Sequence, residues 1–285
     1  MDESDGLAVP ADEGGNEERS DDVSLTLADD GGDRWKQLIP AELFDFYEFH
    51  NYHHAAEVLT TAYPELFAEV CDALKVFRIK VDWILQGGGN ESEVPRAIQQ
   101  VLYPQGWHET RLTGHLEFEK KVTKKYPLLN KKTGEPKLAA SGRIRYTSET
   151  TVEVVRRENV IDAHKIDHVK GRVAFDMEWN SKDQTFDRDL YAMRLFHEAQ
   201  LIGAGVLLTR SADLNPIFHA LDPYGPQQKD KKVSEKYGAS TTWMGKLLYR
   251  LQTGRSGGCP VLAVGIKRKC ISDWEEFATA RDIRI

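Results

Sequence analysis

The 285-residue sequence has only three cysteines, Cys71, Cys259 and Cys270, which are odd in number and far apart. That excludes a disulfide framework and a thiolate zinc cluster, and it fits a reduced interior. No apolar run approaches about 18 residues, so no membrane span is expected. The amino terminus lacks the basic-then-apolar order of a secretion signal, and a cytoplasmic location is expected. Histidines and cysteines never cluster at metal-ligand spacing; the tempting pair His53-His54 would diverge on a helix, which favours a surface or capping role. The Gly87-Gly88-Gly89-Asn90 stretch has no following lysine and Ser/Thr, so it reads as a linker and not as a phosphate loop.

Charge of one sign is also scarce where it would matter. The net charge of −7 argues against nucleic acid until it is divided along the chain. Residues 1–33 hold twelve acids against Arg19, net −11; the rest holds 33 acids and 37 bases, net +4. The first 33 residues are too poor in large apolar side chains to offset ordering and are predicted to be a disordered acidic tail. A mildly basic body follows, predicted as one domain over 34–285.

Basic charge concentrates at 115–145. Nine Lys or Arg (Lys120, Lys121, Lys124, Lys125, Lys131, Lys132, Lys137, Arg143, Arg145) stand against Glu117, Glu119 and Glu135, net +6. The segment reads as an insertion, either a solvated face or a flexible arm tracking DNA phosphates.

The chemistry-bearing stretch is 164–180. A turn at Lys170-Gly171 joins two short strands into a hairpin. From Val173 the pattern alternates: Val173, Phe175, Met177 and Trp179 share one face, Ala174, Asp176, Glu178 and Asn180 the other. The facing strand can bring Asp167 beside Asp176 and Glu178. Three acids on one face repel each other unless a cation neutralises them, and an all-oxygen set suits magnesium rather than zinc. A solvated strand face is the plainer alternative.

Elsewhere, periodicity predicts helices over 53–59, 64–74, 95–102, 186–200, 216–221, 243–251 and 274–281. Strands are expected over 77–84, from Gly106-Trp107 onward, and over 150–155, 201–209 and 260–266; the last two read as buried on both faces. Residues 223–237 read as mobile. Thr242 is the expected cap of the helix at 243–251. The fold class is α/β, a mixed central sheet flanked by helices.

Asp167, Asp176 and Glu178, with the nine-residue step between the first two, resemble the catalytic core of type II restriction endonucleases of the BglII type, relatives of BstYI and BamHI in the PD-(D/E)xK superfamily. The likeness extends to Asp187-Arg188-Asp189-Leu190, to residues 238–247 and to 258–266, and covers most of the chain after about Arg34. One departure stands out: the second acid is usually glutamate in this group, and here it is Asp176. The resemblance implies a restriction-endonuclease-like fold and a homodimer cutting double-stranded DNA at a short palindrome, with relatives' sites sharing a GATC centre. Asp167 and Asp176 would bind Mg2+ with the Met177 carbonyl as a third ligand. Glu178 would orient or deprotonate water, or bind a second cation. Asn180, Ser181 and Lys182, then Ser240, Thr241 and Thr242, would contact DNA, and a cognate DNA methyltransferase would share the restriction–modification system. Glu149, Glu153 and Asn159 are candidates for a fourth active-site residue. A DNA-binding protein of the same fold that has lost cleavage, or a small-molecule magnesium hydrolase, are the competing readings.

Overall fold

In the computed structural model, residues 32–86, 92–225 and 232–284 are described, and the side chains of residues 162 and 163 are not. The expected acidic tail (all but its last two residues) and the Gly87–Asn90 linker lie outside this set.

Alternating apolar residues build one six-stranded mixed sheet. Its strands are β1 (Tyr47–Tyr52), β2 (His108–Pro127), β3 (Tyr146–Lys170), β4 (Val173–Met177), β5 (Ala204–Arg210) and β6 (Val261–Ile266), ordered β1-β6-β5-β4-β3-β2. β4, β5 and β6 run parallel; β1, β3 and β2 pair antiparallel. β5 sits in the middle and every one of its residues is buried, as its unbroken apolar run predicts.

The period of two splits the core in half. Val173, Phe175, Met177 and Trp179 all enter one apolar cluster, with Val206, Leu208, Leu262 and Val264 from the neighbouring strands. Helices α1 (Ala55–Ala62), α2 (Pro64–Val76), α3 (Val81–Leu85) and α4 (Glu93–Leu102) cover that face. Ala174, Leu207 and Ala263 enter a second cluster, closed by α5 (Thr185–Glu198) and, beyond α6 (Asn215–Ala220) and α7 (Val233–Lys236), by α8 (Met244–Gln252). A methyl group on Gly205 would lie 2.7 Å from the Met193 sulfur, so glycine lets α5 approach β5 closely. Helix α9 (Trp274–Thr279) ends the chain, and all three cysteines are buried and free. Among the described residues no helix is long and apolar enough to cross a membrane.

Four expectations are corrected. The 77–84 alternation forms only a single bridge at Ile79 to Ile271 before the chain coils into α3; a short apolar run cannot distinguish the two by periodicity alone. His53 and His54 both have positive φ and stand before α1, not in it; His54 sits at its N-cap without a side-chain cap bond. Tyr237, at the end of the stretch read as mobile, is buried and stacked on Phe218 at 4.3 Å. The turn of the β3–β4 hairpin is Gly171-Arg172, one residue later than expected, with Gly171 at φ +54°.

The largest difference is the basic segment. The insertion is the outer part of a two-stranded ribbon, in which Leu116 to Pro127 pair with Arg157 to Tyr146. Bridges Leu129–Pro136 and Leu138–Ile144 continue toward the tip. The expected 150–155 strand is the return strand of this arm and leads, as part of β3, to Asp167. Glu149 and Glu153 therefore face Lys124 and Lys120, and Asn159 donates its backbone N–H to His115. All three candidates for a fourth active-site residue are exposed on the arm; Glu153 is 14 residues from Asp167 along β3, about 45 Å of extended chain.

No residue from Leu116 to Arg157 reaches the sheet's apolar clusters. Replacing residues 116–157 by a short turn should leave a cooperative thermal transition within a few degrees of the intact protein, read by circular dichroism. Loss of cooperativity would make the arm part of the folding unit.

Candidate active site

The β3–β4 pairing sets the site. The paired register ends with His168 opposite Phe175; Asp167 and Asp176 are the next residues on the two strands, and the charge of Asp167 acts on Asp176. Directly opposed residues share a sheet face, which brings these carboxyls together. β4 then ends, and the Glu178 N–H donates to the Leu208 carbonyl at 2.9 Å while the Thr209 hydroxyl donates to the Glu178 carbonyl at 2.8 Å. Glu178 thus leaves the strand with its backbone fixed.

The two strand acids are buried: Asp176 is 4% and Glu178 7% exposed. One Asp176 oxygen accepts the Met177 N–H at 2.9 Å. Burial, with Asp189, Asp167 and Glu178 nearby, holds the Asp176 carboxyl well above the usual carboxylate range. Burial and the charge of Asp189 push Glu178 up to about 8. Asp167 is more open, and the Lys165 ammonium lies 3.2 Å from it and 2.9 Å from Glu109.

A fourth acid belongs to the cluster. Asp189 on α5 is 1% exposed, between buried Phe186, Leu190 and Met193. Burial raises its carboxyl, and Arg188 partly restores the charge. The Arg188 guanidinium reaches Asp189 at 2.9 Å and Glu178 at 3.4 Å. In the sequence Asp189 stands out only within a motif of family likeness. A physical signal is there as well, because an acid inside an apolar stripe of helical period is out of place unless something charged faces it.

Asp167, Met177, Glu178, Asn180 and Ser181 line an open cleft of about 640 Å3, walled on the far side by α4 and by Lys236 and Tyr237. Burial lowers Lys236 to about 8, and its Nζ donates to the Ile84 carbonyl at 3.1 Å.

The two stretches expected to contact DNA are tied together. Lys182 and Thr241 form an antiparallel bridge, the Thr242 N–H donates to the Ser181 carbonyl at 2.9 Å, and the Asp183 N–H to the Ser240 carbonyl at 3.0 Å. Lys182 and Ser240 are exposed; Asn180 and Ser181 are half-buried in the cleft wall. Thr241 and Thr242 differ from expectation. The Thr241 hydroxyl donates to the Gly238 carbonyl at 2.7 Å and accepts from Arg210. Thr242 is fully buried and caps nothing; the N-cap of α8 is Trp243, without a side-chain bond. Arg210, at the end of β5 and itself 1% exposed, donates to the Thr242 carbonyl at 3.0 Å and the Tyr237 carbonyl at 3.3 Å, anchoring the second loop on the sheet.

Crowded carboxyls on a hard-oxygen surface suit a divalent cation. The Glu178 and Asp189 carboxyls share a side-chain hydrogen bond, and Asp189, Asp167 and Glu178 together raise Asp176. Among the described residues no three such side chains already stand in a closed ligand cage.

A mixed α/β sheet with this acidic centre beside an open cleft defines a nuclease-like protein. The sequence matches the restriction endonuclease BglII/BglIII family over residues 47–266, and the chain belongs to that family. It is a type II site-specific deoxyribonuclease by that membership, and enzymes of this kind generally use a divalent metal ion. No match is found among curated proteins.

The raised Glu178 carboxyl makes stability pH-dependent. Its folded form holds a proton that the unfolded chain releases above its ordinary value of 4.5, so stability falls as pH rises toward about 8. In EDTA, the melting temperature should drop across that window, and Glu178→Gln should flatten the drop. An unchanged slope in the variant would show that Glu178 is not the titrating group.

Proposed function

We propose that the chain is a magnesium-dependent restriction endonuclease acting as a homodimer, each copy cutting one strand of a short palindromic site. The observation that carries this is the grouping of Asp167, Asp176 and Glu178, with Asp167 and Glu178 lining the cleft and Asp176 buried beside them. Asp167 and Asp176 would hold Mg2+, with the Met177 carbonyl as a third ligand. Bound there, the ion would polarise the scissile phosphate and make water more acidic.

The protein's own groups have separable tasks. The Met177 N–H fixes one Asp176 oxygen. Burial and Asp189 raise Glu178 to about 8, and that added basicity suits it to take the proton of an attacking water. Lys165 and Lys236 line the cleft and supply positive charge toward a phosphate backbone. Asp176 is one methylene shorter than the glutamate usual in relatives; its opposition to Asp167 supports a working site.

Base contacts are proposed for Asn180, Ser181, Lys182 and Ser240. Asparagine favours adenine edges and lysine guanine edges. Thr241 and Thr242, committed to internal bonds or buried, would set the shape of that loop. A two-fold dimer matches a palindrome, and a cognate methyltransferase in the same cytoplasm would protect host DNA. The arm would add sequence-independent affinity: across 115–158 it carries eleven bases and six acids, net +5.

Incubation of plasmid DNA with Mg2+ and with EDTA tests the reading. Defined fragments only with Mg2+ are expected, and Asp167→Asn should lower cleavage about a hundredfold or more while sparing binding in a gel shift. Near-normal cutting by that variant would overturn the assignment, and binding without cutting by the unmodified chain would make it a DNA-binding protein.

Lys120 and Lys121 lie 3.4 and 3.1 Å from Glu153 and Glu119, so the arm's test uses other lysines. Neutralising Lys124, Lys125, Lys131 and Lys132 should reduce the salt dependence of log K by roughly 0.9 for each phosphate the arm no longer neutralises. An unchanged slope would make the arm a solvated surface.

A further inference from the structure

We propose that the acidic segment ahead of Gly32 docks on the basic arm of its own chain, as a polyanion that DNA must displace. The competition with DNA rests on the reading above; the docking does not.

The charge of the chain is divided so that one surface alone suits such a segment. Residues 1–31 hold eleven acids against Arg19, net −10. The arm, over 115–158, holds eleven bases and six acids, net +5. Residues 34–114 and 159–285 together hold 26 bases and 27 acids, net −1. The whole excess of positive charge therefore lies on the arm.

At the end of the arm that charge is also uncompensated. The ion pairs of its lysines and arginines, Lys120 with Glu153, Lys121 with Glu119 and Arg156 with Glu158, all lie on the paired strands. Beyond them Lys131, Lys132, Lys137, Arg143 and Arg145 are exposed, with Glu135 as the one acid in 128–145. Among the described residues none of these five bases has an ion-pair partner. Like charges gathered on a tip repel each other, and a run of carboxylates relieves that as phosphates would.

Topology brings the two within reach. The chain enters β1 at Tyr47, opposite Ile266, the last residue of β6. β3 runs antiparallel to β4, so the arm extends past the end at which β4, β5 and β6 finish. β1 and β3 are four strand spacings apart, about 19 Å. From Gly32 back to Asp12 is 20 residues, up to about 66 Å of extended chain, enough to cross the sheet and follow the arm. A segment joined to the same chain is present at a local concentration on the order of millimolar. It would hold the arm off duplexes that must compete for the same bases.

Fluorescence energy transfer between labels on Ser20→Cys and Ser141→Cys, in a chain diluted among unlabelled copies, reads the docking without DNA. The native cysteines are buried, so the introduced ones take the labels. Transfer is expected at about 50 mM salt and its loss at about 300 mM, where the Debye length falls to about 6 Å. Weak transfer at both, or transfer that vanishes on dilution among unlabelled copies, would overturn the proposal. Anisotropy with a random-sequence duplex in EDTA reads the competition. Asp12→Asn, Glu13→Gln, Glu17→Gln, Glu18→Gln, Asp21→Asn and Asp22→Asn combined should tighten binding about tenfold at low salt. Salt weakens the docking as well as the DNA contact, so this variant should also show the steeper salt dependence. The gain should vanish once Lys131→Gln, Lys132→Gln, Lys137→Gln, Arg143→Gln and Arg145→Gln are added. A gain that survives them would mean repulsion by the whole molecule's field, and would overturn the assignment to the arm. Unchanged affinity would overturn the competition. If no form binds duplex while the energy transfer behaves as expected, the DNA reading fails and the docking stands.

Discussion

Mutual repulsion among buried carboxyls is the constraint around which this molecule is arranged. Asp176, Glu178 and Asp189 are each almost wholly removed from water, and the charge of Asp189 holds both Asp176 and Glu178 above the ordinary carboxylate range. A fold optimised only for stability would replace such a group with apolar side chains. Here the apolar surroundings serve to hold it instead. The cluster on one side of β4 fixes Val173, Phe175 and Met177, so Asp176 must face the other way. The cluster on that other side fixes α5, so Asp189 must face Asp176. Two separate cores therefore press like charges together, and neither can relax without the other yielding.

A second buried charge solves a related problem at the rim. Arg210 lies at the end of β5 and is held below its ordinary range by burial, near 10. Its guanidinium lies over the Phe218 and Tyr237 rings at 5.4 and 5.1 Å and hydrogen-bonds to the carbonyls of the loop above. The loop through Ser240 is consequently tied to the central strand, and through the Lys182–Thr241 bridge to the segment that leaves the catalytic strand. Any contact made by Lys182 or Ser240 is thereby registered against Glu178 only a few residues away. In the proposed reading, DNA contacts and cleavage would share one frame.

What the sequence disclosed follows the same physics. The hairpin, its two faces and the three acids were legible because strict alternation with one buried face has a single solution. The central strands were legible as unbroken apolar runs. Residues 77–84 were not, since a short apolar stretch is compatible with either period. Thr242 has the composition of a cap but not the role, because burial, which takes its hydroxyl out of play, is set by β5 some thirty residues away. Asp189 stood in plain view within an apolar helical stripe, but its meaning depended on which strand the stripe packs beneath. Local pattern gives elements and faces; it does not give what the faces meet.

The arm shows the converse. Phe118, Val122, Tyr126 and Val155 alternate as a core strand would, yet all are exposed. Alternation encodes a face, and only topology decides whether that face is covered. A two-stranded ribbon of this length with neither face packed is marginal by itself. Cross-strand pairs along it, such as Phe118 with Val155 and Lys120 with Glu153, supply its local stability. Its root is a different matter: Ile166 on β3 enters the core beneath α5, one residue before Asp167. The strand that carries Asp167 is thus anchored at one end and extends unsupported at the other. A load on the arm would be transmitted along continuous backbone to Asp167, with the buried side chain of Ile166 as the point that resists it.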